Sequence, residues 1–402
     1  MKLFYYQDPE GNFGDDLNAW LWPSLIPDLL DEDEATLFVA IGSILDRRIP
    51  QEPQKILFGA GVGYGLLPVL DERWQICCVR GPLTARALGV PARLGLTDPA
   101  ALVRTVRTPA TSKSHTISFI PHFRTPTRAE AAGVELAKLC ASLGINYIDP
   151  RKGVEHVLTG IETSERVLAE AMHGAIVADA LRVPWLPVQL YDQVLNLKWQ
   201  DWCGSLGMEY NPLLHTRDPH RTLQDSIVSF LRHASADDRF LLSDATVLDS
   251  KIKQMLVKLE QLRAGRTGDC LRGTAELTPD PDVLMEVARL HEMQIALEEV
   301  AAVVPMGATL ILVDEERWGG GQALRGRRTL PFLERDGLYW GLPPDSATAI
   351  SELERLRTFG AQYLVFMSPS FWWLDYYGAF RDHLRRYTSL ASSELVRVIA
   401  LN

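Results

Sequence analysis

Short apolar runs, each closed by a glycine or a polar turn and followed by a helix-forming stretch, recur along this chain from its first residues, and no other feature narrows the fold as much. Leu3–Tyr6, Thr36–Ile41, Lys55–Phe58 and Gln75–Val79 read as strands. Gly11–Asp16 reads as a polar loop and Leu17–Leu30 as a tryptophan-bearing helix broken at Pro23 and Pro27. Pro82–Leu88 reads as a short helix with proline in its first turn. Strand–turn–helix repetition of this kind predicts an α/β fold with parallel strands.

A second such stretch follows Thr105–Ser114, a linker rich in Thr, Ser and Pro. It holds a strand at Thr116–Ile120, a helix over Arg128–Leu143, a strand at Asn146–Ile148 and a strand–turn–helix over Arg166–Leu181. The expectation is two Rossmann-like halves, residues 1–110 and 111–241, with ligands bound outside the carboxyl ends of the strands. From 242 to 301 the period changes: Ile252, Met255, Leu259 and Leu262, then Val283, Val287, Leu290, Met293, Leu297 and Val300, are spaced like heptads around a turn-rich Gly265–Pro281. This predicts an antiparallel helical hairpin, serving either as a homodimer seam across 247–301 or as a linker packed on its own chain. Residues 302–402 read as a small accessory α/β module. Its strands lie at Ala308–Val313 and Gln362–Met367, with helices around Ser351–Thr358 and over Trp373–Tyr387. Gly319-Gly320-Gly321 reads as a flexible turn. A length of 402 residues suits two or three domains.

Bulk properties exclude several classes. A net charge of -10 argues against a general nucleic-acid binder. Cys77, Cys78, Cys140, Cys203 and Cys270 form no CxxC pair and are odd in number, which fits a reducing compartment better than a disulfide framework. The amino terminus meets an acid and Pro9 too early for a signal peptide, and no apolar run reaches the length of a membrane span. The expected location is cytoplasmic, with any membrane contact peripheral, at the inner face.

Several motifs carry candidate chemistry. Gly59, Gly61, Gly63 and Gly65 follow a strand, but Tyr64 and Leu66 break the dinucleotide spacing, so they read as tight-turn glycines. In Asn12-Phe13-Gly14-Asp15-Asp16-Leu17-Asn18, the short polar arms of Asn12, Asp15, Asp16 and Asn18 suit sugar hydroxyls; alternatively Asp15 or Asp16 caps the next helix. Arg80 stands where a strand opens into a helix and is expected at a cleft mouth, holding a carboxylate or phosphate, or else in a surface ion pair. His122 and Arg124, just past the first strand of the second half, make a candidate anion site. The most specific element is Glu170-Ala171-Met172-His173-Gly174, running to Pro184: an apolar strand enters it and Gly174 is expected to open a helix. His173 then lies at a helix N-terminus, where free N–H groups and the helix dipole attract phosphate. A bound phosphate would in turn hold the imidazole protonated, able to act as an acid. No clustered spacing calls for a metal.

Taken in order, Asn12–Asn18, Gly42-Ser43-Ile44-Leu45, Val79-Arg80-Gly81-Pro82-Leu83-Thr84, Thr97-Asp98-Pro99 and the Met172-His173-Gly174 turn resemble the polysaccharide pyruvyl transferases, over residues 1–235. The likeness is to the branch that decorates exopolysaccharides of the succinoglycan and xanthan type. It implies a GT-B-like pair of halves, with phosphoenolpyruvate as co-substrate held mainly by the second half. A glycan or lipid-linked oligosaccharide would enter from the first, and no further cofactor is implied. It assigns His173 as acid and phosphate contact, with Arg80, His122, Arg124, Met172 and Gly174 on the donor, and His122 as a second acid candidate. Asn12, Asp15 and Asn18 fall to the acceptor, with Asp15 or Asp16 as base. One position departs from the family: where many members carry Arg-Leu-His, this chain has Ala171-Met172-His173. Either Arg80, Arg124 or Arg166 supplies the missing charge, or the donor differs. A GT-B glycosyltransferase using a nucleotide-sugar and a catalytically silent scaffold are the rival readings.

Overall fold

The chain divides into two units, Met1–Val287 and Ala288–Asn402. The computed structural model describes residues 1–63, 65–190, 196–215, 222–266, 268–273, 277–315, 324, 327–335 and 338–401. Among these, the architecture is mixed α/β, with three five-stranded sheets and fourteen helices.

The first unit opens with β1 (Lys2–Phe4), α1 (Phe13–Leu25), β2 (Thr36–Val39), β3 (Gln54–Phe58), β4 (Trp74–Cys78), α2 (Pro82–Leu88) and α3 (Val103–Val106). It continues through β5 (His115–Ile120), α4 (Thr125–Ala131), α5 (Leu136–Ser142), β6 (Asn146–Tyr147), α6 (Val154–Glu162), β7 (Ser164–Ala169) and α7 (Met172–Ala180). Then come β8 (Trp185–Gln189), α8 (Asn196–Ser205), β9 (Leu213–Leu214), α9 (Leu223–Ser235), α10 (Ala245–Arg263) and β10 (Leu271–Arg272).

The two sheets of this unit differ in kind. The first runs β1-β2-β3-β4-β10, parallel through β4, with β10 antiparallel at the edge. No helix among the described residues joins β2 to β3 or β3 to β4. The second connection carries Gly59, Gly61, Gly63, Gly65 and Pro68, which disfavour helix. This sheet therefore lacks the alternating crossover helices expected of a Rossmann-like half. The second sheet runs β6-β5-β7-β8-β9, parallel throughout, so strand order reverses at β5. In a doubly wound sheet that reversal opens a crevice at the carboxyl ends of the central strands, here β5 and β7.

One apolar core serves both sheets. Phe13, Leu17, Leu21 and Trp22 of α1 meet Phe38 and Phe58 of the first sheet and Met172, Ala175 and Ile176 of α7. The Trp22 ring stands edge-on to Phe38 at 4.9 Å. Burial of each such side chain stabilises by about 1.5–3 kcal/mol, so α1 and α7 are fixed against each other.

Some boundaries differ from the sequence reading. α1 begins at Phe13, so Asp15 and Asp16 belong to its first turn and not to a loop. The expected helix over 128–143 is two helices, α4 and α5, parted at Gly133, whose φ of 75° is left-handed. α7 begins at Met172, two residues before Gly174. Leu248, Ile252, Met255 and Leu259 of α10 are buried in the core shared by the two sheets, and the segment after α10 adds β10 to the first sheet. The next helix, α11 (Pro281–Val303), crosses the unit boundary.

The second unit contains β11 (Thr309–Val313), β12 (Arg328–Pro331), β13 (Glu334–Arg335), β14 (Leu338–Tyr339), α12 (Ser346–Thr358), β15 (Tyr363–Met367), α13 (Trp372–Tyr376), α14 (Gly378–Leu384), β16 (Thr388–Ser392) and β17 (Val396–Ala400). Its main sheet runs β12-β11-β15-β17-β16, with β17 antiparallel to both neighbours. The helix expected over 373–387 is interrupted at Tyr377, where ψ is 70°. Phe332, Leu353, Phe366, Trp373 and Phe380 fill one side of the sheet. Gly319-Gly320-Gly321 and Tyr64 lie outside the described residues. No helix among the described residues is long and apolar enough to cross a membrane.

Candidate functional site

Helix α7 leaves the carboxyl end of β7 with no side chain to cap it: its N-cap is Ala171. The first intrahelical bond is Ala175 N–H to the Ala171 carbonyl, and the N–H groups of Met172, His173 and Gly174 have no hydrogen-bond partner among the described residues. Some other helices have a side-chain cap, whereas α2, α4, α5 and α6 lack one as α7 does. Asn12 caps α1, Thr222 caps α9, Asp244 caps α10 and Asp345 caps α12. An uncapped helix end at the switch point of a doubly wound sheet presents donors and a positive dipole end to an anion. Met172 itself is buried in the core, and Gly174 is small because Ile120 leaves no room: a Cβ there would lie 2.8 Å from Ile120 Cγ2. Both therefore contribute backbone to this end, with their side-chain positions given over to packing.

His173 rides on that helix end and meets α1. Its ring lies against Gly14, where an added Cβ would stand 1.9 Å from Nδ1. Its Nε2 faces Asp98 Oδ2 at 3.6 Å, and the side chain retains 14% exposure. The imidazole thus sits where the two sheets of the unit are joined, reachable from outside.

α1 supplies the acidic side of the site. Asn12 Oδ1 accepts from Gly14 N–H at 3.3 Å, and Asn12 Nδ2 donates to Asp15 Oδ2 at 2.6 Å. The cap is therefore Asn12, not Asp15 or Asp16. Asp15 is buried, and this desolvation raises its carboxyl to about 6, against the opposing pull of His173 and Lys198. A carboxyl poised there can take or hold a proton near neutrality. Asp16, less buried, is raised chiefly by desolvation and accepts from Asn12 N–H at 3.3 Å. Asn18 belongs to the scaffold. It is fully buried, its amide donating to the Asp15 and Ile41 carbonyls and accepting from Ile41 N–H and Trp22 Nε1. With donors and oxygen all engaged, it cannot be the acceptor-sugar contact expected from sequence.

The cationic side lies at the end of β5. His122 is buried, and burial first, then the charges of Lys198, Arg124 and Arg128, hold its imidazole well below the usual histidine range. This environment disfavours the proton that His122 would carry as the second acid expected from sequence. The cations that depress it mark an electropositive corner. Arg124 is exposed, its guanidinium 5.3 Å over the Phe123 ring. Glu170 ties this corner together: one carboxylate oxygen accepts from His122 N–H at 3.0 Å and Thr125 Oγ1 at 2.6 Å, the other from Leu190 N–H at 2.7 Å. Loops after β5, β7 and β8 are thereby pinned by one buried side chain.

Arg80 is not at a cleft mouth. It is fully buried, with Nε on Asp201 at 3.0 Å, Nη1 on Ser43 Oγ at 2.6 Å and Nη2 on the Val62 carbonyl at 2.7 Å. Asp201, from α8, also accepts from Leu83 and Thr84 N–H and from the Thr84 hydroxyl, so the N-terminus of α2 already holds an anion, a carboxylate of the protein itself. Arg166 sits three residues before the end of β7, roughly 10 Å back along the strand, with its guanidinium 4.9 Å over Phe240. Neither is placed to replace an arginine at position 171. Lys198, which the sequence reading missed, has its charge felt by both Asp15 and His122. Only its position on a helix rich in tryptophan, Asn196–Ser205, could have drawn attention to it.

Comparison with known proteins gives one strong likeness. The chain is 40% identical over 241 residues to the succinoglycan biosynthesis protein ExoV of Rhizobium meliloti (strain 1021), covering 59% of this chain and 74% of that protein. No family model and no solved structure matches.

Proposed function

The chain belongs to the family of the succinoglycan biosynthesis protein ExoV, and from that premise we propose that it is a polysaccharide pyruvyl transferase, moving pyruvate from phosphoenolpyruvate onto a hexose of an exopolysaccharide repeat unit as a cyclic ketal. The observation that carries this reading is the uncapped N-terminus of α7 bearing His173, with Asp15 across from it and cations beside it. The donor's phosphate would take the three free N–H groups of α7. Its carboxylate would be met by the cationic corner around His122, where Lys198 and Arg124 supply charge in place of the arginine absent at 171.

In this scheme protonated His173 gives its proton to the methylene carbon of phosphoenolpyruvate, and the central carbon becomes electrophilic. One sugar hydroxyl adds there and loses its proton to Asp15. Phosphate then departs with its bonding electrons and takes up the proton held by Asp15, and a neighbouring hydroxyl closes the ketal, its proton returning to His173. The two oxygens gained replace the enol carbon–carbon double bond and the carbon–oxygen bond to phosphate, so atoms and charge balance. General acid–base help of this kind contributes about 10²–10⁴ in rate. The site would act in the cytoplasm, on a glycan or lipid-linked oligosaccharide at the inner membrane face.

The test is His173→Ala with phosphoenolpyruvate and a hexose-bearing acceptor, following phosphate release and the pyruvyl mass gain of the glycan. Ketal formation should vanish while the melting curve keeps its shape. Unchanged turnover by the variant, or release of a nucleoside diphosphate from a nucleotide-sugar in the same mixture, would refute the reading.

A further inference from the structure

We propose that Asp98 is the positioning residue of His173, the two side chains forming a sealed carboxylate–imidazole pair that fixes the ring as its Nε2–H tautomer. The proposal takes from the reading above only that His173 is the group that exchanges a proton.

Asp98 is fully buried and caps the short helical turn Pro99–Leu102, its Oδ1 accepting from Ala100 N–H at 3.0 Å. Its other oxygen, Oδ2, has no hydrogen-bond partner, and neither has His173 Nε2; both atoms are shut off from solvent, and they face each other at 3.6 Å. Buried polar atoms without partners are rare, and a facing pair of one donor and one acceptor is rarer. A small rotation of the ring would join them, and hydrogen bonds at catalytic groups are often long in the free protein and shorten with substrate. The surroundings leave little other freedom. On one side Nδ1 lies against Gly14, where only the absence of a Cβ leaves it room. On the other, Pro99 is seated on Gly59, where a Cβ would lie 2.1 Å from Pro99 Cγ and φ is 94°, so the turn carrying Asp98 is held in place. A carboxylate that accepts from Nε2–H both selects the tautomer and stabilises the imidazolium when Nδ1 also carries a proton.

The geometry makes one substitution decisive. In Asp98→Asn the side-chain oxygen remains committed to Ala100 N–H, so the amide nitrogen takes the place of Oδ2 and donates toward Nε2. That forces the Nδ1–H tautomer. The experiment is nitrogen NMR of the full-length ¹⁵N-labelled protein, with the His173 signals assigned by their loss in His173→Gln. Neutral His173 should be the Nε2–H tautomer in the parent and the Nδ1–H tautomer in Asp98→Asn. With phosphoenolpyruvate, kcat of Asp98→Asn should fall about 10²–10⁴-fold with KM little changed. An Nδ1–H tautomer in the parent overturns the proposal, even if Asp98→Asn does not fold, and so does a variant that folds with its tautomer unaltered. A tautomer that switches as expected in a protein that never releases phosphate from phosphoenolpyruvate upholds the pair and sinks the proposed reaction instead.

Discussion

Removing one partner of the Arg80–Asp201 pair should damage the fold, not the donor contact. Both side chains are fully buried, and Asp201 accepts four hydrogen bonds: from Arg80 Nε at 3.0 Å, Leu83 N–H at 2.8 Å, Thr84 N–H at 3.0 Å and Thr84 Oγ1 at 2.5 Å. In Asp201→Asn the oxygen can still cap α2, but the amide NH₂ then points at Arg80 and the Thr84 hydroxyl, leaving a charged guanidinium buried without a counter-ion. Breaking such a pair costs about 3–5 kcal/mol. At about 2–4 °C per kcal/mol for a unit of a few hundred residues, Tm should fall by roughly 6–20 °C. Circular dichroism at 222 nm during a thermal ramp reads this directly. Arg80→Met should fall comparably, whereas the double variant Arg80→Met with Asp201→Leu should recover a good part of the loss, because no lone charge remains inside. A fall of less than about 3 °C for Asp201→Asn, or a double variant losing the sum of the two singles, would show that the pair does not hold α2 and α8 together.

Three further outcomes are expected. Gly14→Ala puts a methyl where His173 Nδ1 stands, so phosphate release from phosphoenolpyruvate should drop at least about 10²-fold while circular dichroism stays native. Asp15, raised from 3.8 to about 6 by burial, binds its proton more tightly in the folded protein; its contribution is fully present below pH 4 and is lost as pH rises through about 6. Asp15→Asn should therefore flatten the fall in Tm between pH 4 and 6 and stabilise the protein at pH 7 by up to about 3 kcal/mol, while abolishing activity. Among the thiols, Cys270 is lowered to about 7 by its hydrogen bond from Cys77, whereas Cys140 and Cys203 are pushed up to about 12 by burial and Cys77 and Cys78 are also raised. Iodoacetamide at pH 7.5 should modify Cys270 first, as peptide mass spectrometry of a short exposure would show.

What could be read from sequence was local. The placement of Asn12, Asp15 and Asp16 and of the His173 turn at the ends of elements was legible because strand–turn–helix punctuation needs no knowledge of distant partners. Arg80 was misplaced for the opposite reason: its acceptor Asp201 lies 121 residues on, and nothing near Arg80 shows that α8 fills the N-terminus of α2. Asn18 looked like a free polar arm because Ile41, which meets both faces of its amide, is 23 residues away. Glu170 was visible only as a neighbour of the histidine, since its role appears when the loops after β5 and β8 converge on it. The glycines at 59, 61 and 63 read as tight-turn residues, and the space their side chains would need is occupied by Pro99, Arg80 and Ser43.

The substitution of arginine by alanine at 171 acquires a physical meaning from this arrangement. An arginine there would stand at the N-cap of α7, beside the free N–H groups, and could grip the donor through a planar fork. Alanine leaves the helix end open, and Lys198, Arg124 and Arg128 bear on His122 at the end of β5. Lysine is a compact point charge that attracts an anion without fixing its orientation. On the proposed reaction, then, orientation of phosphoenolpyruvate falls to the backbone donors of α7 and to His173, and both depend on α1 keeping Gly14 under the ring. The Asn12 cap, through Gly14 N–H and Asp15, holds that turn of α1 in place, so on the same proposal the motif assigned to the acceptor would also align the acid.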